Sequence, residues 1–154
     1  MNLYLDASAL VKEYLTDELG TEEVVKVRRE AELVGTTTVS RAETEAALKK
    51  AARTGTLTER EARSAREDFG EDWPDLIRLQ VTEALVARAG ELAFKQDLRG
   101  YDAVQLASAL AWTDGIEEAV TFATFDRQLW DAASAYSLLI PFPEDLPALL
   151  EEWA

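Results

Sequence analysis

Asn2-Leu3-Tyr4-Leu5-Asp6-Ala7-Ser8-Ala9-Leu10 opens on a short apolar run, stops it with a carboxylate, and resumes with helix-like spacing. Near the other end, Val120-Thr121-Phe122-Ala123-Thr124-Phe125-Asp126 repeats the arrangement. A strand that delivers an acid to the start of a helix is the unit of an open α/β sheet, whose ligand crevice lies at the carboxyl ends of its strands. Two more acids occupy similar positions: Glu43 in Thr38-Val39-Ser40-Arg41-Ala42-Glu43, and Asp102 in Asp102-Ala103-Val104-Gln105-Leu106-Ala107. Carboxylates gathered along one edge repel each other unless a multivalent cation holds them together. The pattern therefore points to a metal-dependent enzyme acting on phosphates.

The chain has 154 residues, the size of one domain, and 47% apolar residues, a composition that can fill a core. We expect a single domain over residues 1–154. It contains no cysteine and no histidine. Disulfide frameworks, thiolate or imidazole metal sites, serine–histidine triads and a histidine general base are thereby excluded. The start of the chain shows no basic segment ahead of a long apolar stretch, and no run approaches about 18 apolar residues, so a cytoplasmic protein with no membrane segment is expected. The net charge of −14 argues against a duplex binder that grips many phosphates. It is compatible with a nuclease, because bound divalent ions bring positive charge to the phosphate, and with a basic protein partner.

Strand-like and helix-like segments alternate. Strands are expected at residues 2–5, 33–38, 79–81, 120–125 and 137–140. Helices are expected from Ala9, then at residues 20–30, 40–53, 58–69, 82–98, 102–112 and 127–135. Gly55 and Gly100 are read as helix stops, Thr58-Glu59-Arg60-Glu61 as a capping box, and the tail from Pro141 as one short helical turn. The alternation implies a three-layer α/β/α sandwich around a mostly parallel sheet of four to five strands.

Each acid also has a purely structural explanation. Asp6, Asp102 and Asp126 stand where a helix needs an N-cap acceptor, and Ser40 with Glu43 has capping-box spacing. Capping accounts for each acid separately but not for four at one sheet edge. Ser8 and Thr124, each two positions from an acid, are candidate supporting hydroxyls; local bonding to backbone is their plainer role. Lys49, Lys50 and Arg53 are expected to form a solvated helix face, with Glu45 and Lys49 paired. Trp73, Trp112 and Trp130 are expected in the core or at an interface.

Taken together, residues 3–10, 39–43, 99–107 and 121–126 resemble a PIN domain, and among PIN domains the VapC-type toxin ribonucleases of toxin–antitoxin pairs. The resemblance covers nearly the whole chain, in order. It implies an endoribonuclease holding Mg²⁺ or Mn²⁺ with Asp6, Glu43, Asp102 and Asp126, supported by Ser8 and Thr124. It further implies a homodimer and a small antitoxin bound between the early helices; helix 102–112 is nearly all-apolar and reads as buried, yet together with helix 58–69 it is also expected to offer exposed apolar and aromatic content. Many relatives carry His where this chain has Gln105.

Two rivals share the architecture. A receiver domain would need paired acids near the first strand and a late Lys, but Asp6 stands alone and no Lys follows Lys95. A haloacid-type phosphatase would need Asp at position 8, which is Ser. A PIN-like module that binds a partner without cutting is the rival from another class.

Overall fold

The computed structural model describes residues 1–15 and 17–154. Strand β1 (Asn2–Leu5) leads into α1 (Ala7–Leu10), which tightens into a 3-10 turn over Val11–Tyr14, and then α2 (Thr21–Glu30). Next come β2 (Leu33–Thr37), α3 (Ser40–Arg53), α4 (Glu59–Asp72) and β3 (Ile77–Leu79). The chain continues through α5 (Glu83–Gln96), α6 (Gly100–Ile116), β4 (Val120–Ala123), α7 (Arg127–Ala133), β5 (Leu139–Phe142) and α8 (Leu146–Trp153).

All strand pairs are parallel, and the five strands lie in the order β3-β2-β1-β4-β5. The sheet grows outward from β1 in both directions, so the strand order reverses between β1 and β4. A ligand crevice is expected just beyond that switch point, and Asp6 and Asp126 follow these two strands.

Side chains alternate across the sheet, as the strand period of two requires. Tyr4 faces one layer, where it stacks on Phe122 of β4 at 5.4 Å and packs with apolar residues of α5, α6 and α7. Leu3 and Leu5 face the other layer, with Leu10, Val24, Val27, Phe69 and Trp73. A third cluster, including Val11, Leu48, Leu57 and Ala62, ties the turn after α1 to α3 and α4. The three-layer parallel fold is thus as expected. Trp73 and Trp112 are buried core residues, and Trp130 is half-buried with its indole N–H donated to the Pro143 carbonyl at 2.8 Å.

Several boundaries differ for physical reasons. Thr58 and Glu61 form the expected capping box, but α4 runs on to Asp72. Helix α5 stops at Gln96 because Asp97 takes the left-handed conformation (φ 54°), and Gly100 opens α6. Strand β3 lies two residues earlier than expected, and Pro141 sits inside edge strand β5, where its missing N–H is tolerated. The tail is therefore an eight-residue helix following a strand. Glu45 pairs with Arg41 and Arg66, while Lys49 pairs with Glu59, in place of the expected Glu45–Lys49 pair. Among the described residues no helix is long and apolar enough to cross a membrane.

At Gly35 of β2 the Trp112 ring of α6 packs directly on the sheet backbone. A Cβ built there would lie 3.0 Å from the Trp112 ring and 3.3 Å from the Ile77 carbonyl. Gly35→Val should therefore destabilise by about 1–3 kcal/mol through overpacking, although Val favours strands. Urea unfolding checks this: the midpoint should fall with an unchanged slope.

Candidate active site

Asp6 ends β1 and caps α1, its Oδ1 accepting the Ala9 backbone N–H at 2.9 Å. Its side chain lies almost wholly out of solvent, at 3% exposure. The Ser8 hydroxyl donates to Oδ1 at 2.7 Å and the Thr124 hydroxyl to Oδ2 at 2.6 Å. Those hydroxyls in turn accept backbone N–H groups from the β4–α7 connection, Phe125 on Ser8 at 3.0 Å and Asp126 on Thr124 at 3.1 Å. Both residues singled out as supporting hydroxyls thus hold Asp6 directly. Their bonding is long-range as well as local.

Asp126 caps α7, with Oδ1 accepting from the Leu129 N–H at 2.9 Å. Its Oδ2 is left to accept from Arg99 at 2.7 Å. Asp102 is not a cap: Arg99 holds the N-cap position of α6, and Asp102 lies in the helix's first turn. Arg99 also donates to Asp102 Oδ2 at 3.0 Å, so one guanidinium bridges two of the four acids. Sequence reasoning missed Arg99, although its spacing of three from Asp102 was a usable signal.

Glu43 is not part of a capping box either, because Val39 holds the N-cap of α3 with no side-chain cap bond. Its Oε1 accepts instead from the Gln105 amide at 3.0 Å. Gln105 is buried in α6 and also contacts Tyr4 and Ser40. Of the four acids, then, Asp6 and Asp126 serve as caps and Glu43 and Asp102 do not.

Mutual repulsion shows in the proton affinities. Burial raises the Asp6 carboxyl to about 6, its hydrogen bonds oppose this, and the Asp102 charge adds to it. Burial likewise raises Glu43 and Asp102, with Asp102 acting on Glu43 and Asp126 acting on Asp102. Asp102 is therefore the electrostatic hub, felt by Asp6 and Glu43 and itself raised by Asp126.

This donor set suits a hard divalent cation such as Mg²⁺ or Mn²⁺, which prefers carboxylate oxygen and needs no nitrogen or sulfur. Among the described residues no three acids converge into a ready ion cage. Arg99 supplies positive charge between Asp102 and Asp126 in this arrangement, so the fit is in donor chemistry and mutual repulsion. A cleft of about 740 Å³ opens beside the acids, walled by Glu43, Asp102 and Arg99 and by apolar residues of α5 and α6 such as Val86, Ala93 and Val104. On these two helices Phe94 and Tyr101 are 95% and 65% exposed. The expected exposure of residues 102–112 is contradicted: most of that segment is buried, being covered by the sheet, α5 and α7. Phe69 at the end of the expected helix 58–69 is buried as well.

Comparison with known proteins agrees with this architecture. The PIN domain family model matches residues 3–135. Two ribonucleases of Mycobacterium tuberculosis, VapC45 of strain CDC 1551 / Oshkosh and VapC49 of strain ATCC 25618 / H37Rv, are each 37% identical over 133 residues, covering 86% of this chain and 90% of theirs. Among solved structures, PAE2754 from Pyrobaculum aerophilum superposes with a TM-score of 0.63 at 20% identity, covering 98% of this chain and 90% of that one. VapBC2 from Rickettsia felis, bound to a DNA fragment from its promoter, gives 0.61 at 13% identity, covering 92% and 97%.

Two outcomes are expected from the site's electrostatics. A carboxyl raised in the folded state favours folding below its unfolded value near 4, and that contribution is lost as pH rises through about 6. In EDTA, Asp6→Asn should therefore gain on wild type by about 2–3 kcal/mol between pH 4 and pH 7, read by urea unfolding at each pH. Arg99→Ala removes a competing cation. It should tighten Mg²⁺ or Mn²⁺ binding roughly two- to five-fold at low salt, with the gain fading in high salt, as measured by calorimetric titration.

Proposed function

The chain belongs to the PIN domain family, and we propose that it is a divalent-metal-dependent endoribonuclease and the toxin of a toxin–antitoxin pair. The observation that carries this reading is that Asp102 couples electrostatically to Glu43 and to Asp6 and Asp126, the two acids that follow the strands at the switch point. The names of the two mycobacterial relatives support RNA as substrate.

Asp6, Glu43, Asp102 and Asp126 would hold Mg²⁺ or Mn²⁺. Such an ion, when bound, supplies a Lewis acid for the phosphodiester oxygens and an activated water. Asp6 is fixed from both loops by Ser8, Thr124 and the Ala9 N–H, so it offers a rigid anchor. Asp102 and Asp126, held by Arg99 in this arrangement, would turn their oxygens to the ion in its place. Glu43 and Asp102 line the cleft beside which an RNA strand would lie. With no histidine in the chain, a side-chain base can be only a carboxylate, lysine or tyrosine.

The same reading includes two protein partners. The exposed apolar residues Val86 and Phe94 of α5 and Tyr101 of α6 are where we place a second copy, in place of residues 102–112. A small antitoxin seated between the early helices would bring Arg or Lys to the acidic pocket, where charge complementarity is strongest.

Cleavage of single-stranded RNA should stop in excess EDTA and return with Mg²⁺ or Mn²⁺. Asp6→Asn and Asp102→Asn should each lower the rate by at least about 100-fold, and Glu43→Gln and Asp126→Asn by at least about 10-fold, with the fold retained. Asn and Gln keep capping ability, so variants cutting at wild-type rate in limiting Mg²⁺ would mean the acids are only structural. Cleavage that persists in EDTA would end the metal reading.

A further inference from the structure

We infer that Gln105 is a positioning residue for this site, its buried amide holding the Glu43 carboxylate at the mouth of the cleft. The inference rests on the metal-binding reading of Glu43 given above. Gln105 sits in a mostly apolar stretch of α6, with Ala103, Leu106, Ala107 and Ala109 buried around it and Ser108 the other buried polar residue there. Burying an amide there is costly unless every polar atom is satisfied. It is satisfied: Oε1 accepts from the Tyr4 hydroxyl at 2.6 Å, and Nε2 donates to Ser40 Oγ and to Glu43 Oε1, both at 3.0 Å.

The order of donors and acceptors fixes the orientation of the amide. The Leu5 carbonyl can only accept, and the Thr36 hydroxyl lies 2.7 Å from it. Thr36 has one proton, which it can give to the Leu5 carbonyl or to the Ser40 hydroxyl 2.7 Å away, and in either case Ser40 keeps a lone pair to spare. Ser40 Oγ is then free to accept from Gln105. On the other side, burial and the nearby Asp6 charge keep the Tyr4 phenol protonated, and so a donor. Turning the amide over would aim Oε1 at the Glu43 carboxylate and leave Tyr4 facing N–H groups. The amide as oriented satisfies its three side-chain partners, and it delivers an N–H to Glu43. Among the described residues no other side chain hydrogen-bonds Glu43.

The network ties β1, β2, α3 and α6 to a single carboxylate. A half-buried glutamate without that tether would sample several rotamers, and ordering it would be charged against ion binding. Outer partners that orient a ligand typically change metal affinity 10- to 100-fold.

The test is a double-mutant cycle of wild type, Gln105→Met, Glu43→Ala and the double variant, with circular dichroism confirming the fold. Calorimetric titration with Mg²⁺ and Mn²⁺ should show Gln105→Met weakening the wild-type Kd about 10-fold, and changing it less than about two-fold once Glu43 is absent. Equal weakening in both backgrounds, or none in either, overturns the inference. If Gln105→Met does not fold, Tyr4→Phe releases Oε1 while keeping the ring; it should weaken Kd about two- to three-fold only when Glu43 is present, and an effect independent of Glu43 overturns the inference. If wild type binds neither ion, the metal reading of the site falls. The tether is then judged by urea unfolding of the same four proteins without metal: non-additive midpoints support it and additive ones overturn it.

Discussion

Burial of the Asp6 carboxylate is the constraint on which the site depends. A charged group this far from water must be satisfied by fixed dipoles, and each bond that satisfies it fixes a piece of chain. Ser8 and the Ala9 N–H come from the segment after β1, whereas Thr124 comes from the segment after β4. Because Ser8 and Thr124 each accept a backbone N–H from the β4–α7 connection, the two loops that flank the switch point are bonded to each other through one carboxylate. Among the described residues no cation pairs with Asp6. Neutral donors alone meet its charge, and burial raises its proton affinity despite three hydrogen bonds.

Capping and ion binding are therefore not rival explanations for these acids. A carboxylate has about four acceptor directions. Asp6 commits three, and Asp126 gives one oxygen to the start of α7 and keeps the other for Arg99. The helix start orients the carboxylate as the carboxylate stabilises the helix start. Glu43 and Asp102, which cap nothing, are held instead by side chains: Gln105 from the buried side and Arg99 from the exposed side. The site thus combines two acids held by backbone and side chains together with two held by side chains alone.

That division tracks what was legible in the sequence. Asp6 and Asp126 are visible because local pattern alone, a strand giving way to a helix, places them. The same logic carried the parallel sheet and most elements. It misread Asp102 as a cap because Gly100 looked like a helix stop, when Asp97 could supply the left-handed turn three residues earlier. Edge strands were the weakest reading: β3 is three residues long with an exposed Arg78, and β5 contains Pro141, so neither shows clean alternation. The role of Gln105 is out of reach in a different way. Gln105 acts on Tyr4, Ser40 and Glu43, up to 101 positions away, and nothing in one sequence announces which distant groups a buried amide will meet. Only its anomaly, a polar residue in an apolar helix, was there to be noticed.

The net charge of −14 and an anionic substrate fit together only if charge is handled locally. At physiological ionic strength, interactions beyond about 8 Å are largely screened, so the distant surface acids matter less to a bound phosphate than the groups in the pocket. There the described structure has one guanidinium set against four carboxylates, an arrangement that would repel a phosphate. Divalent cations would reverse that sign, and they would also relieve the repulsion that adds to the effect of burial on Asp6, Glu43 and Asp102. The same excess of negative charge would attract a basic partner segment. Under the proposed reading, the ion that makes the pocket hospitable to RNA and the basic segment that would silence it compete for one electrostatic vacancy, and Arg99 fills part of it in the meantime.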